Sequence, residues 1–165
     1  MVETETLLPE VYLQPGESCL ALEPTIIRTI LGSCVGVTFW SARLGIGALC
    51  HAQLPRSPMK ARAGLTLAAG RRYVDFAIRD LARQFDEFGV SRSETQIKLF
   101  GDGDVLVVSE KGSLKPTVGK LNCESALEVL LDEGFEVTAS SLGGHCGLNI
   151  RFNTSNGEVL LRRLC

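Results

Sequence analysis

The chain has 165 residues, 45% of them hydrophobic and 22% charged, with a net charge of −2. That length fits one domain, which removes roughly 70% of its unfolded surface from water and needs no disulfide or metal staple to fold. Basic and acidic residues are interspersed, so the footprint of a nucleic-acid binder is missing, and no apolar run approaches the length of about 20 residues that spans a bilayer. The opening stretch MVETETLLPEVYL is acidic and lacks the basic region of an export signal. The expectation is a cytoplasmic protein, not embedded in a membrane, with one domain over 1–165.

In chain order, the opening reads as an irregular arm or edge strand up to the turn at Pro15-Gly16. Thr25 to Leu31 is rich in β-branched residues and predicts a strand. Gly32-Ser33 is a turn signal, and Cys34 follows it directly. Val35, Val37 and Phe39 then alternate with Gly36, Thr38 and Trp40, the pattern of a half-buried strand. A turn near Ala42 to Gly45 leads into a strand over Ile46 to Leu54, closed by Pro55, so the two strands form a hairpin. Lys60 to Gly70 reads as a loop entering a helix, and Lys60, Arg62, Arg71 and Arg72 make it basic. Tyr73, Phe76, Ala77, Leu81, Phe85 and Phe88 recur at helical spacing within Arg71 to Phe88, and Gly89 stops that helix. Gln96 to Phe100 is a short strand, followed by a Gly101-Asp102-Gly103-Asp104 loop. Asn122 is read as the N-cap of a helix through Asp132, ended by Gly134. Strands follow near Phe135 to Ala139, Leu148 to Asn153 and Val159 to Arg163, with turns at Gly143-Gly144 and Asn156-Gly157. The pattern predicts an α+β fold: mixed or antiparallel sheets, sandwich-like, flanked by two main helices.

Six cysteines, Cys19, Cys34, Cys50, Cys123, Cys146 and Cys165, are expected as free thiols of a reducing compartment. They form no C-x-x-C pair and no cluster with zinc spacing, so no metal site is expected. Cys34 stands out because its turn brings backbone N–H groups to where an oxyanion would develop, although a buried core cysteine explains the same local pattern. His51 lies on the return strand of the hairpin. Gly47, Leu49, His51 and Gln53 share one face of that strand, and Ile46, Ala48, Cys50, Ala52 and Leu54 the other. An imidazole beside a thiol lowers the thiol's pKa from about 8.5 and serves as proton donor to a leaving group; a histidine hydrogen-bonded within a sheet is the other reading. His145 and Cys146 are adjacent on an extended segment, point to opposite faces and do not serve each other. The Gly-Asp-Gly-Asp loop lacks the rest of a calcium loop and reads as a surface turn.

A series of motifs in order makes the chain resemble the CheD family of chemoreceptor glutamine deamidases. They are Gln14-Pro15-Gly16-Glu17, Leu31-Gly32-Ser33-Cys34-Val35-Gly36-Val37, and His51 followed by Leu54-Pro55. Tyr73-Val74-Asp75-Phe76-Ala77-Ile78, Lys98-Leu99-Phe100-Gly101, Val118-Gly119-Lys120-Leu121-Asn122 and Gly143-Gly144 complete the series. The resemblance implies a cysteine amidohydrolase without metal or organic cofactor. Cys34 would be its nucleophile and His51 its acid/base, with Gly32 and Ser33 in the oxyanion turn. A threonine five or six residues before the cysteine is implied as third catalytic residue. Thr29 stands at the first position and Arg28 at the second, and Thr29 is the assignment. The implied substrate is a glutamine on the cytoplasmic domain of a chemoreceptor, with receptor methyl esters as a second substrate. The implied further partner is a CheC-type phosphatase, to which the chain could instead act as a non-catalytic adaptor. Ser141 replaces an acidic residue two before the Gly-Gly pair, Leu148-Asn149 replaces an arginine after it, and Asp102-Gly103-Asp104 replaces small or apolar residues.

Overall fold

The computed structural model describes residues 7–58, 64–101, 106–108, 114–144 and 146–165. The arm before Pro15-Gly16 contains the short strand β1 (Glu10–Tyr12), and the stretch after it forms β2 (Ser18–Ala21). The β-branched run gives β3 (Ile26–Leu31), the alternating segment β4 (Val35–Ser41), and the return strand β5 (Ile46–Ala52). A single turn of helix, α1 (Leu67–Gly70), precedes α2 (Val74–Glu87). Next come β6 (Thr95–Gly101), β7 (Leu106–Val108), β8 (Leu114–Pro116) and α3 (Val118–Asp132). The strands β9 (Val137–Leu142), β10 (Gly147–Asn153) and β11 (Val159–Leu164) end the chain.

The strands form a four-stranded sheet, β1-β3-β10-β11, a five-stranded sheet, β2-β5-β4-β6-β9, and the β7-β8 pair. Both larger sheets are mixed, because β1 runs parallel to β3 and β9 parallel to β6 while the other pairings are antiparallel. The fold is α+β, with the five-stranded sheet as the middle layer. On one side Val35, Val37, Phe39, Ala48, Cys50 and Ala52 pack against α2 and α3 through Ala77, Leu81, Phe85 and Ala126. On the other, Leu49 and Phe100 pack against Ile27, Leu31, Ile150 and Phe152 of the four-stranded sheet. Each fully buried Phe or Leu in these layers stabilises by about 1.5–3 kcal/mol. Phe39 lies 5.5 Å from Phe85 and 5.2 Å from Phe135, ring centre to ring centre, pinning sheet to helix.

Three expectations change, and three short strands are added. β4 is not half-buried: six of its seven residues are buried, because the helices cover one face and the second sheet the other. Thr117, not Asn122, caps α3, accepting from the Lys120 N–H; the helix starts earlier and encloses Asn122. The short strands β2, β7 and β8 had no periodic signal of their own. Finally, Cys146 and Cys165 form a disulfide rather than free thiols. The cause is register: Gly147 pairs with Leu164 in the β10-β11 hairpin, so the residues just beyond face each other. Their Cα atoms are 5.0 Å apart, within bridging range. Cys19, Cys34, Cys50 and Cys123 form no disulfide. The Asn156-Gly157 signal does mark the β10-β11 turn, where Gly157 takes a φ of 78°. Lys60, Arg62, Asp102, Gly103, Asp104 and His145 lie outside the described residues.

Candidate active site

β3 ends at Leu31, the chain turns through Gly32 and Ser33, and β4 starts one residue after Cys34. In the β4-β5 ladder Gly36 faces His51 and Val35 faces Ala52. Cys34 lies just outside the ladder; extending the register one step sets it against Gln53 and diagonal to His51 at the end of the hairpin. The face that carries His51 is the one between the two sheets: Leu49, two residues before His51, belongs to the inter-sheet cluster, and Cys34 packs at its margin. Gly36 lies opposite the imidazole where a Cβ would come within 3.2 Å of Leu31 Cδ1. Gly32 and Ser33 are exposed and Cys34 is half-buried, so the turn that carries the thiol lies at the surface end of the hairpin.

His51 is 1% exposed. Its Nδ1 lies 2.6 Å from Thr29 Oγ1, and the same hydroxyl donates to the Leu13 carbonyl at 2.9 Å. A threonine has one hydroxyl proton and a carbonyl only accepts. With the proton on Leu13, Thr29 accepts from Nδ1–H, which leaves the Nε2 lone pair of a neutral imidazole unprotonated. Nε2 is buried and has no partner among the described residues. Arg28, at the other candidate position, lies on the outer face and pairs with Glu10 at 3.5 Å. The Pro15-Gly16 turn is buckled onto the same strand: Gly16 N–H donates to the His51 carbonyl at 2.7 Å, and His51 N–H donates to the Glu17 carbonyl at 2.9 Å.

Burial pushes the His51 imidazole down to about 4, with the Glu17 carboxylate opposing the shift, and burial also pushes the Cys34 thiol up. Both effects favour the uncharged pair at neutral pH, in contrast to the standing thiolate expected from the residue types. Among the described residues no group of three or more His, Cys, Asp or Glu side chains could hold a metal ion.

One residue of the site was misread from sequence. Asn122 is fully buried inside α3, and its Nδ2 donates to the Ser33 and Gln53 carbonyls, each at 3.0 Å. The available signal was its place in the Val118–Asn122 block shared with the family the chain resembles.

A family model described as CheD chemotactic sensory transduction matches residues 53–163. The chain belongs to the CheD family. It is 41% identical to the probable chemoreceptor glutamine deamidase CheD 2 of Geobacter sulfurreducens over 95% of this chain and 91% of that protein. It is 34% identical to the probable chemoreceptor glutamine deamidase CheD of Maridesulfovibrio salexigens over 99% and 97%. The CheD of Pseudomonas fluorescens, named in the same way, is 34% identical over 93% and 84%. The CheD family model starts at Gln53, two residues after His51, whereas the alignments with the first two relatives also span Thr29, Cys34 and His51. No helix among the described residues is long and apolar enough to cross a membrane.

Proposed function

We propose that this chain is a protein-glutamine glutaminase that converts glutamine side chains of chemoreceptor cytoplasmic domains to glutamate. The observation that carries the reading is the buried imidazole of His51: its Nδ1 is engaged by Thr29, and its Nε2 has no partner among the described residues, on the inter-sheet side against which Cys34 also packs. The full-length similarity to proteins named as probable chemoreceptor glutamine deamidases supplies the substrate.

In the proposed reaction His51 Nε2 takes the thiol proton while Cys34 Sγ attacks the carboxamide carbon. The oxyanion is held by backbone N–H groups of the Gly32–Cys34 turn. The proton passes from His51 to the amide nitrogen, the C–N bond breaks and ammonia leaves, with a thioester remaining on Cys34. His51 then takes a proton from water, whose oxygen attacks the thioester; glutamate departs and the thiol is restored. Thr29 holds the imidazole in the tautomer that both half-reactions use. A receptor methyl ester follows the same route and releases methanol in place of ammonia. The chemistry needs no metal or organic cofactor.

The test is to incubate the chain with receptor cytoplasmic fragments and map amide-to-acid conversions by mass spectrometry, with Cys34→Ala alongside. Ammonia release and +1 Da shifts at defined glutamines are expected for the parent, and none for Cys34→Ala at an unchanged fold. Full activity of Cys34→Ala sinks the proposal. A parent inactive on receptors that still stimulates a CheC-type phosphatase would favour the adaptor role instead.

A further inference from the structure

The contacts of Asn122 are not those of a residue kept for packing. Both of its amide protons are used, one on the carbonyl just before the nucleophile and one on the carbonyl two residues after His51. Ser33 and Gln53 lie where the β4-β5 ladder runs out: the last pair is Val35 with Ala52, and extending the register one step sets Cys34 against Gln53. Asn122 closes that open end from a third element, α3. The other end of the same amide, Oδ1, is buried without a partner among the described residues. A buried acceptor left unpaired lowers stability, and such groups in a native fold call for an explanation. An apolar side chain would not leave that acceptor stranded, but it could not hold the two carbonyls.

The chemical consequence follows from the planarity of the peptide. In a trans peptide the C=O and N–H point in opposite directions. Asn122 therefore fixes the Ser33–Cys34 peptide with its carbonyl toward α3 and the Cys34 N–H directed away from it. Among the described residues that N–H donates to no backbone acceptor. Its orientation is set before any substrate arrives, which is the condition for an oxyanion donor to be effective. The Gln53 bond holds the strand carrying His51 in the same register.

We infer that Asn122 is a positioning residue that aims the Cys34 N–H at the developing oxyanion, an inference that rests on Cys34 being the nucleophile proposed above. It predicts a split between two reactions of the same thiol. Acylation by p-nitrophenyl acetate passes through a tetrahedral oxyanion; alkylation by iodoacetamide displaces iodide from a saturated carbon and forms none. Both are measured at Cys34 by peptide mapping on the full chain, with Cys34→Ala as background and thermal unfolding as the check on folding. Asn122→Ala should cut acylation about 100-fold while changing the alkylation rate and its pH profile by less than about threefold. Asn122→Val has no hydrogen-bond donor and leaves a smaller cavity than alanine, so it gives the same split if the alanine variant does not fold. Unchanged acylation overturns the inference, and so does a parallel fall of both reactions, which marks a merely structural role. A parent chain that acylates at Cys34 without deamidating receptor fragments removes the receptor reading alone, and a parent that fails to acylate there removes the nucleophile and the inference together.

Discussion

The five-stranded sheet has two buried faces, and they are used differently. Its helix-facing side carries Val35, Val37, Phe39, Ala48, Cys50 and Ala52 and is closed by apolar side chains of α2 and α3. Its other side carries Cys34, Gly36, Thr38, Leu49 and His51, against a second sheet that contributes Thr29 beside Ile27 and Leu31. The contrast is clearest in two thiols. Cys50 is fully buried on the helix side, where burial pushes its pKa up to about 12, and it behaves as a small hydrophobe. Cys34 is half-buried at the rim of the inter-sheet layer, on an exposed turn and diagonal to an imidazole. One residue of strand alternation separates the face closed by the helices from one that holds His51 and Thr38 among the apolar side chains of the inter-sheet cluster.

Substitutions on the two faces should therefore separate activity from stability. His51→Gln is expected to lower kcat for glutamine deamidation by about 10²–10⁴-fold with little loss of folding. Phe39→Ala should do the reverse, costing about 3–5 kcal/mol in chemical denaturation while the folded fraction keeps its kcat. Comparable losses of kcat per folded molecule in both variants would erase the distinction.

The pH dependence sharpens the same contrast, since among the described residues the one buried histidine lies on the inter-sheet face. The unfolded chain protonates His51 near 6.5 and the native chain only near 4, so between those values the unfolded state binds more protons. The His51 contribution is level above pH 6.5, falls as pH drops toward 4, and is level again below. The decline amounts to about 3 kcal/mol across that window. Urea unfolding of the parent and His51→Gln between pH 4 and 7 checks it: the difference in stability between the two should change with that slope, and a constant difference contradicts it.

The smallest effect is expected at Thr29. Thr29→Val keeps the shape but leaves His51 Nδ1–H and the Leu13 carbonyl without their partner. A loss of about 1–3 kcal/mol in stability should accompany a fall of about tenfold in kcat, with KM for the receptor fragment unchanged. A kcat equal to that of the parent would mean that the hydroxyl does not set the tautomer.

Most elements were legible because their signals are local. The β-branched run of β3, the alternation in β4 and β5, the helical spacing of α2 and the Asn156-Gly157 turn each lie within a few residues of one another. Boundaries slipped where a neighbour decided them. α3 begins at Val118 because Thr117 caps it, and Asn122 looked like a cap only while its distant carbonyl partners were unknown. β2 is four residues long and exists by pairing with β5. The disulfide was missed because it depends on the β10-β11 register, which places Cys146 and Cys165 together irrespective of their 19-residue separation in the chain.

The amino-acid order by itself determined the hairpin, the faces of β5, the turn that carries Cys34 and the ordered motifs shared with the CheD family. Strand alternation and turn chemistry act over a few residues, so no partner from elsewhere was needed to read them. The tertiary structure decided that Thr29 rather than Arg28 meets His51, because only the packing of one sheet on the other brings Thr29 Oγ1 to Nδ1 across 22 residues of sequence. It also decided that Asn122 holds the Ser33 carbonyl across 89 residues. Contacts of that kind come from long-range strand pairing and layer packing, which no local pattern encodes.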